Sequence, residues 1–184
     1  MHLMTVNFRP ISELMLESLI GMTGVYVIWE STENRPTYIG EGNLLKCFGN
    51  HFSADSDLLG LPVEGYVALI GSSQDARSSR QGKALKRLLL EVASDIDRAP
   101  KVRAKSERED VLELVRAEGD LRISMCGYDP LTAPGEALPL VPTREITAWM
   151  FKGADDYWME HSRTIPAALY RLPKKRRIES LARG

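Results

Sequence analysis

The sequence predicts an α/β domain of the α+β kind: a small, mainly antiparallel three-stranded sheet flanked by helices, with a C-terminal extension. Three observations lead there. Short runs rich in β-branched and aromatic residues at 25–29, 37–39 and 66–70 lie close to glycine or proline, the pattern of short strands. The run from Asp75 to Arg98 carries Leu85, Leu88, Leu89, Val92 and Ile96 at helical spacing. Three prolines and a glycine between Thr132 and Pro142 then read as a loop or linker. Residues 1–100 are taken as one domain and 101–184 as a helical or irregular extension packed on it.

Composition bounds the function classes. A chain of 184 residues with 43% hydrophobic content is one domain, or one domain with a large appendage, and can bury a substantial core. The formal charge of −1 supplies no global basic field for nucleic acid. Cys47 and Cys126 are far apart and form no metal-spaced pair, so they read as reduced thiols of a cytoplasmic protein. No run approaches the ~18 apolar residues of a membrane helix, and no signal peptide is recognisable.

Along the chain, residues 9–22 read as a helix: Pro10 at its start, Ser12 and Glu13 in its first turn, an apolar stripe from Leu14 to Ile20, and Gly21 closing it. Val25, Val27 and Ile28 suit a buried strand, and Asn34-Arg35-Pro36 is turn chemistry. Tyr38-Ile39 forms the antiparallel partner. Gly40 and Gly42 let the backbone swing into a helix that Asn43 caps and that carries His51. Residues 52–61 read as a loop. The almost wholly apolar run 66–70 belongs at the sheet centre.

The helix over 75–98 bears Arg77, Arg80, Lys83, Lys86 and Arg87 on its outer face, with Arg98, Lys101, Arg103 and Lys105 beyond. This surface either tracks a phosphate backbone or is a solvated face. Gly82-Lys83 does not open a phosphate loop, because the upstream glycine is missing and Ala84 replaces the metal-binding hydroxyl.

The second half reads as a surface helix over 106–118, ended by Gly119, a strand over 121–128, and a helix from Pro142 through Phe151. Trp149, Tyr157 and Trp158 are packing anchors or platforms for stacking on bases. Asp156, Glu160 and His161 are an exposed helix end or a metal cluster, and His2 is a surface residue. The basic tail Lys174-Lys175-Arg176-Arg177 touches phosphate or is merely solvated.

Gly24-Val25-Tyr26 and Tyr38-Ile39-Gly40, one turn apart and followed by an Asn43-Leu44 helix start and His51, resemble the GIY-YIG nuclease superfamily. The resemblance covers about the first half of the chain. It implies metal-dependent cleavage of a nucleic-acid phosphodiester, DNA before RNA, with Mg2+ or Mn2+ as cofactor. It casts Tyr26 or Tyr38 as the group that deprotonates or positions water. His51 would assist proton transfer or bind phosphate.

Two family residues are replaced. The arginine four residues before the histidine falls on Cys47, which cannot fork onto phosphate. Lys46 is adjacent but about 100° round the helix. The metal-holding glutamate falls on Lys86, which cannot ligate a hard cation. Glu91 serves only in a shifted register. Three expectations follow: a degenerate nuclease fold that binds nucleic acid with weak or lost cleavage, a nuclease with a rearranged site using Lys46 and Glu91, or a protein-interaction module.

Overall fold

The computed structural model describes residues 1–30, 33, 35–53, 63–102, 105–134 and 140–163. Seven strands form one mixed sheet: β1 (His2–Pro10), β2 (Met22–Glu30), β3 (Tyr38–Asn43), β4 (Val63–Ser72), β5 (Leu121–Gly127), β6 (Leu140–Trp149) and β7 (Trp158–Arg163). Their spatial order is β3-β2-β4-β1-β5-β6-β7. Three helices accompany them: α1 (Leu44–His51), α2 (Ala76–Asp95) and α3 (Glu109–Glu118).

The expected three-stranded sheet is therefore corrected to a seven-stranded one, curled into a half-barrel. The three anticipated strands do lie side by side, as β3-β2-β4. What extends them is β1. Arg9 and Pro10 pair antiparallel with Val67 and Tyr66 of β4. His2 to Phe8 pair in parallel with Leu121 to Gly127 of β5. One strand thus joins the first half of the chain to the second. Its burial alternates, with Val6 and Phe8 inside, as one buried face requires.

Three further expectations give way. Residues 9–22 are not a helix. β1 runs on to Pro10, and two short 3-10 turns follow, Ile11–Glu13 and Leu16–Leu19, with extended backbone at Leu14 and Met15. Strand pairing overrides the local helical pattern there. The loop over 132–142 and helix over 142–151 are replaced, from Leu140 on, by strand β6. Pro142, taken for a helix start, is tolerated in the strand because the β5–β6 register shifts between Met125 and Gly127. The supposed helix end at 158–161 is strand β7.

β2 is covered on both faces, and Thr23 to Trp29 are all buried. Its odd residues Val25, Val27 and Trp29 pack with Leu85, Leu88, Leu89 and Val92 of α2. Its even residues Tyr26 and Ile28 pack with Leu44 and Phe48 of α1, with Leu19 and with Val67. The indole of Trp29 donates to the Pro130 carbonyl at 3.1 Å. No described helix is long and apolar enough to cross a membrane.

Candidate functional site

The strand period puts both motif tyrosines on the α1 face of the sheet. In the β2–β3 register Tyr26 lies opposite Gly40 and Ile28 opposite Tyr38. The tyrosines are therefore diagonal neighbours, with ring centroids 5.9 Å apart. Gly40 is required by this arrangement. A Cβ there would lie 2.3 Å from Tyr26 Cζ, 2.4 Å from its Oη and 2.5 Å from Tyr38 Cε1. The glycine leaves the room that the Tyr26 ring occupies. Gly24 has a backbone counterpart: its Cβ would meet the Ala68 carbonyl oxygen at 2.3 Å.

Helix α1 supplies the rest. The Asn43 side chain accepts from Lys46 N at 3.1 Å and so caps the first turn. Leu44, Cys47, Phe48 and His51 then recur on one face. Tyr26 Oη and His51 Nε2 are 2.8 Å apart, and the His51 ring lies 4.8 Å from that of Tyr38. Cys47 is half-buried beside them, and its thiol donates to the Glu41 carbonyl at 3.7 Å. Lys46 is exposed on the outer side of the helix. Tyr26, Tyr38, Cys47 and His51 are thus brought together and Lys46 is not.

The cluster is uncharged at neutral pH. Burial, with the neighbouring Cys47 and Tyr38, pushes the Tyr26 phenol far above its ordinary value of 10.0. Burial raises Tyr38 as well. Burial also raises the Cys47 thiol, against a hydrogen bond from Tyr26 that favours its ionised form. Burial lowers His51, which favours the neutral imidazole. One proton therefore lies between Tyr26 and His51. The pair can orient a water or relay a proton, but the phenol cannot ionise without an added positive charge.

Glu41 was missed by the sequence reading. It lies two residues after Ile39 on β3, so strand alternation turns it with Ile39 toward α2. A Cβ built on Gly82 of α2 would come within 3.9 Å of Glu41 Oε2. Burial raises the Glu41 carboxyl, partly offset by Lys86 and Lys83. Glu41, Lys83 and Lys86 line a cavity of about 260 Å³ together with Lys105, Ser106 and Asp110. Lys86, only 9% exposed, donates from Nζ to the Lys105 carbonyl at 2.6 Å. These residues do not fit the divalent cation that the resemblance implies. An ammonium lies where an oxygen ligand is needed. No group of three His, Cys, Asp or Glu gathers among the described residues.

Glu91 is engaged elsewhere. It pairs with Arg87 at 2.7 Å and accepts from the Tyr157 hydroxyl at 2.5 Å. The basic face of α2 is similarly partitioned. Arg77 forks onto Glu118 at 2.8 and 2.7 Å, and Lys86 is buried. Arg80 and Lys83 remain exposed. Lys101 is bound by Glu30 and Glu33. His2 is no plain surface residue, since its Nδ1 pairs with Glu118 at 2.9 Å. Arg103 and the basic tail Lys174 to Arg177 lie outside the described residues.

Asp156 pairs with Arg108 and His161 faces Asp95 at 3.5 Å, so the suspected cluster of Asp156, Glu160 and His161 is dispersed. Tyr157 is a buried anchor, whereas Trp158 is 55% exposed and packs edge-on against Phe151. Compared with protein-family models, curated proteins and solved structures, the chain matches none.

Proposed function

We propose that this chain is a divergent GIY-YIG-like protein that binds nucleic acid, DNA before RNA, with phosphodiester cleavage weak or lost. The observation that carries the reading is the Tyr26–His51 contact at 2.8 Å, with Tyr38 against the same imidazole. The residues of the two motifs and the following helix converge on one spot.

Loss of cleavage follows from what surrounds that spot. A phosphodiesterase needs positive charge where negative charge develops on phosphorus. Cys47 carries none, Lys46 points away, and Lys86 is tied to a backbone carbonyl. A missing charge-stabilising group typically costs about 10²–10³-fold in rate. Binding would rest on Arg80 and Lys83, exposed α2 cations outside the Arg77–Glu118 fork.

The test is a gel-shift titration of duplex and single-stranded DNA across salt, run beside plasmid nicking with magnesium or manganese. Binding should weaken steeply with salt and weaken further in the Arg80→Glu, Lys83→Glu double variant, with little nicking. Robust magnesium-dependent nicking would overturn the loss of cleavage. Absence of salt-sensitive binding would overturn the nucleic-acid assignment.

One observation favours a second reading as a protein-interaction module. Met15 (75%), Leu16 (65%) and Ile20 (66%) are exposed on the 3-10 turn that touches α1. Exposed apolar patches of sufficient size mark interaction sites. Self-association or partner binding that Leu16→Glu abolishes, in a protein without DNA affinity, would select this reading.

A further inference from the structure

The cavity of about 260 Å³ on the α2 side of the sheet is built from four parts of the chain. Glu41 comes from β3 and Lys86 from α2. Ser106 precedes α3, and Asp110 lies in the first turn of that helix. Lys105 and Glu107, with side chains 91% and 65% exposed, stand at the rim. No apolar side chain is among the described residues of its wall.

Unlike charges face this space without meeting. Lys86 leads the cations that act on Glu41, yet no direct ion pair joins the two among the described residues. The local geometry holds them apart. Lys86 Nζ is tied to the Lys105 carbonyl at 2.6 Å. Glu41 faces Gly82, one turn before Lys86, where even an added Cβ would stop 3.9 Å from Glu41 Oε2.

The wall also carries unused hydrogen-bonding capacity. An ammonium has three donors. Lys86 spends one of them on a described residue, although it is only 9% exposed. The Glu41 carboxyl accepts no hydrogen bond from the described residues. Asp110 accepts one, from Glu107 N at 3.2 Å. Ser106 Oγ is buried and has no partner among the described residues. Polar groups withdrawn from water are normally paired, so four on one small wall with spare capacity mark a place for a polar occupant.

We propose that this cavity binds a small α-amino acid as its zwitterion, the carboxylate held by Lys86 beside Ser106 and the ammonium by Glu41 and Asp110. A molecule carrying both charges a few bonds apart reaches the cation on α2 and the carboxylates on β3 and α3 together, each through a charge-assisted hydrogen bond. The zwitterion is neutral overall, so its binding does not depend on the net charge of the wall. The volume lies just below the range of sites for drug-sized ligands. With a wholly polar lining, it suits a side chain as short and polar as that of serine. This site is separate from the tyrosine cluster and does not rest on nucleic-acid binding.

The experiment is an amide NMR titration of the full chain at pH 8 and constant ionic strength. The ligands are L-serine, 3-hydroxypropionate, which lacks the ammonium, and ethanolamine, which lacks the carboxylate. L-Serine should shift the amides of Glu41, Ser106 and Asp110, and each analogue should bind at least tenfold more weakly. Lys86→Met should weaken L-serine at least tenfold and leave ethanolamine unchanged. Glu41→Gln, which keeps the shape of the side chain, should weaken L-serine to a similar extent and leave 3-hydroxypropionate unchanged. Arg122→Gln on β5 should bind L-serine as the natural chain does. Absence of shifts with L-serine overturns the site. Equal binding of either analogue by the natural chain overturns the zwitterion. Unaltered L-serine affinity in folded Glu41→Gln overturns the ammonium pocket, whether or not Lys86→Met folds.

Discussion

Tyr26 Oη lies 2.8 Å from His51 Nε2 although the two are 25 residues apart. Burial disfavours the charged form of both groups, raising the phenol and lowering the imidazole. The histidine therefore links folding to pH. Its folded value lies below the ordinary 6.5, so between those two values the unfolded chain binds more protons than the folded one. Stability is fully present above pH 6.5 and is lost as pH falls through the folded value. Urea midpoints from pH 8 to pH 5 should fall more steeply for the natural chain than for His51→Gln. Parallel curves would show that His51 does not carry this dependence.

Gly40→Ala tests whether the tyrosine cluster is tightly built. The added methyl would lie 2.3 Å from Tyr26 Cζ and 2.5 Å from Tyr38 Cε1, so a ring must move. Overpacking of this kind costs about 1–3 kcal/mol, and the displaced Tyr26 hydroxyl would release His51. Chemical denaturation should show the loss, and the His51 ring resonances should shift. A variant as stable as the natural chain with unmoved His51 resonances would mean the space is larger than the geometry states.

The parts of this site that were legible in the sequence are those set by local pattern. Tyr26, Tyr38 and the capped helix with His51 follow from strand period, two glycines and Asn43. Glu41 was not legible, because its meeting with Lys86 depends on how β3 packs on α2. The same holds for Glu91. Its i,i+4 pairing with Arg87 is local, but the Tyr157 hydroxyl that completes it comes from 66 residues away. β1 escaped notice since its partners are distant, Val67 on one side and Leu121 to Gly127 on the other. Pro142 actively misled, being as compatible with a helix start as with a strand irregularity.

Lys86→Glu asks whether restoring a carboxylate at this position rebuilds a metal site. The new carboxylate would face the Lys105 carbonyl, which Lys86 now binds at 2.6 Å, and the Glu41 carboxyl, which would lose a compensating cation. Losing a charged hydrogen bond and adding repulsion should destabilise the fold by at least about 2 kcal/mol. The single change should therefore lower stability without creating magnesium-dependent nicking. Pairing it with Glu41→Gln should restore part of the stability. With Cys47→Arg added, this background is the one in which nicking should rise if the position matches the family glutamate. Calorimetry with and without magnesium reads the first effect, and plasmid nicking the second.

Asp129→Ala should be among the most damaging single substitutions in the second half. Arg144 is 3% exposed and draws its only carboxylate partner among the described residues from Asp129. Removing one member of a buried pair leaves an uncompensated charge, typically worth 3–5 kcal/mol. Here the loss is compounded because Arg163 would face Arg144 across the β6–β7 ladder without a counter-charge. Replacing the pair together, as Asp129→Leu with Arg144→Met, removes the charge and its partner at once and should cost much less. Urea unfolding of the three proteins separates the cases. If Asp129→Ala unfolds at the same midpoint as the natural chain, the pair contributes no stability.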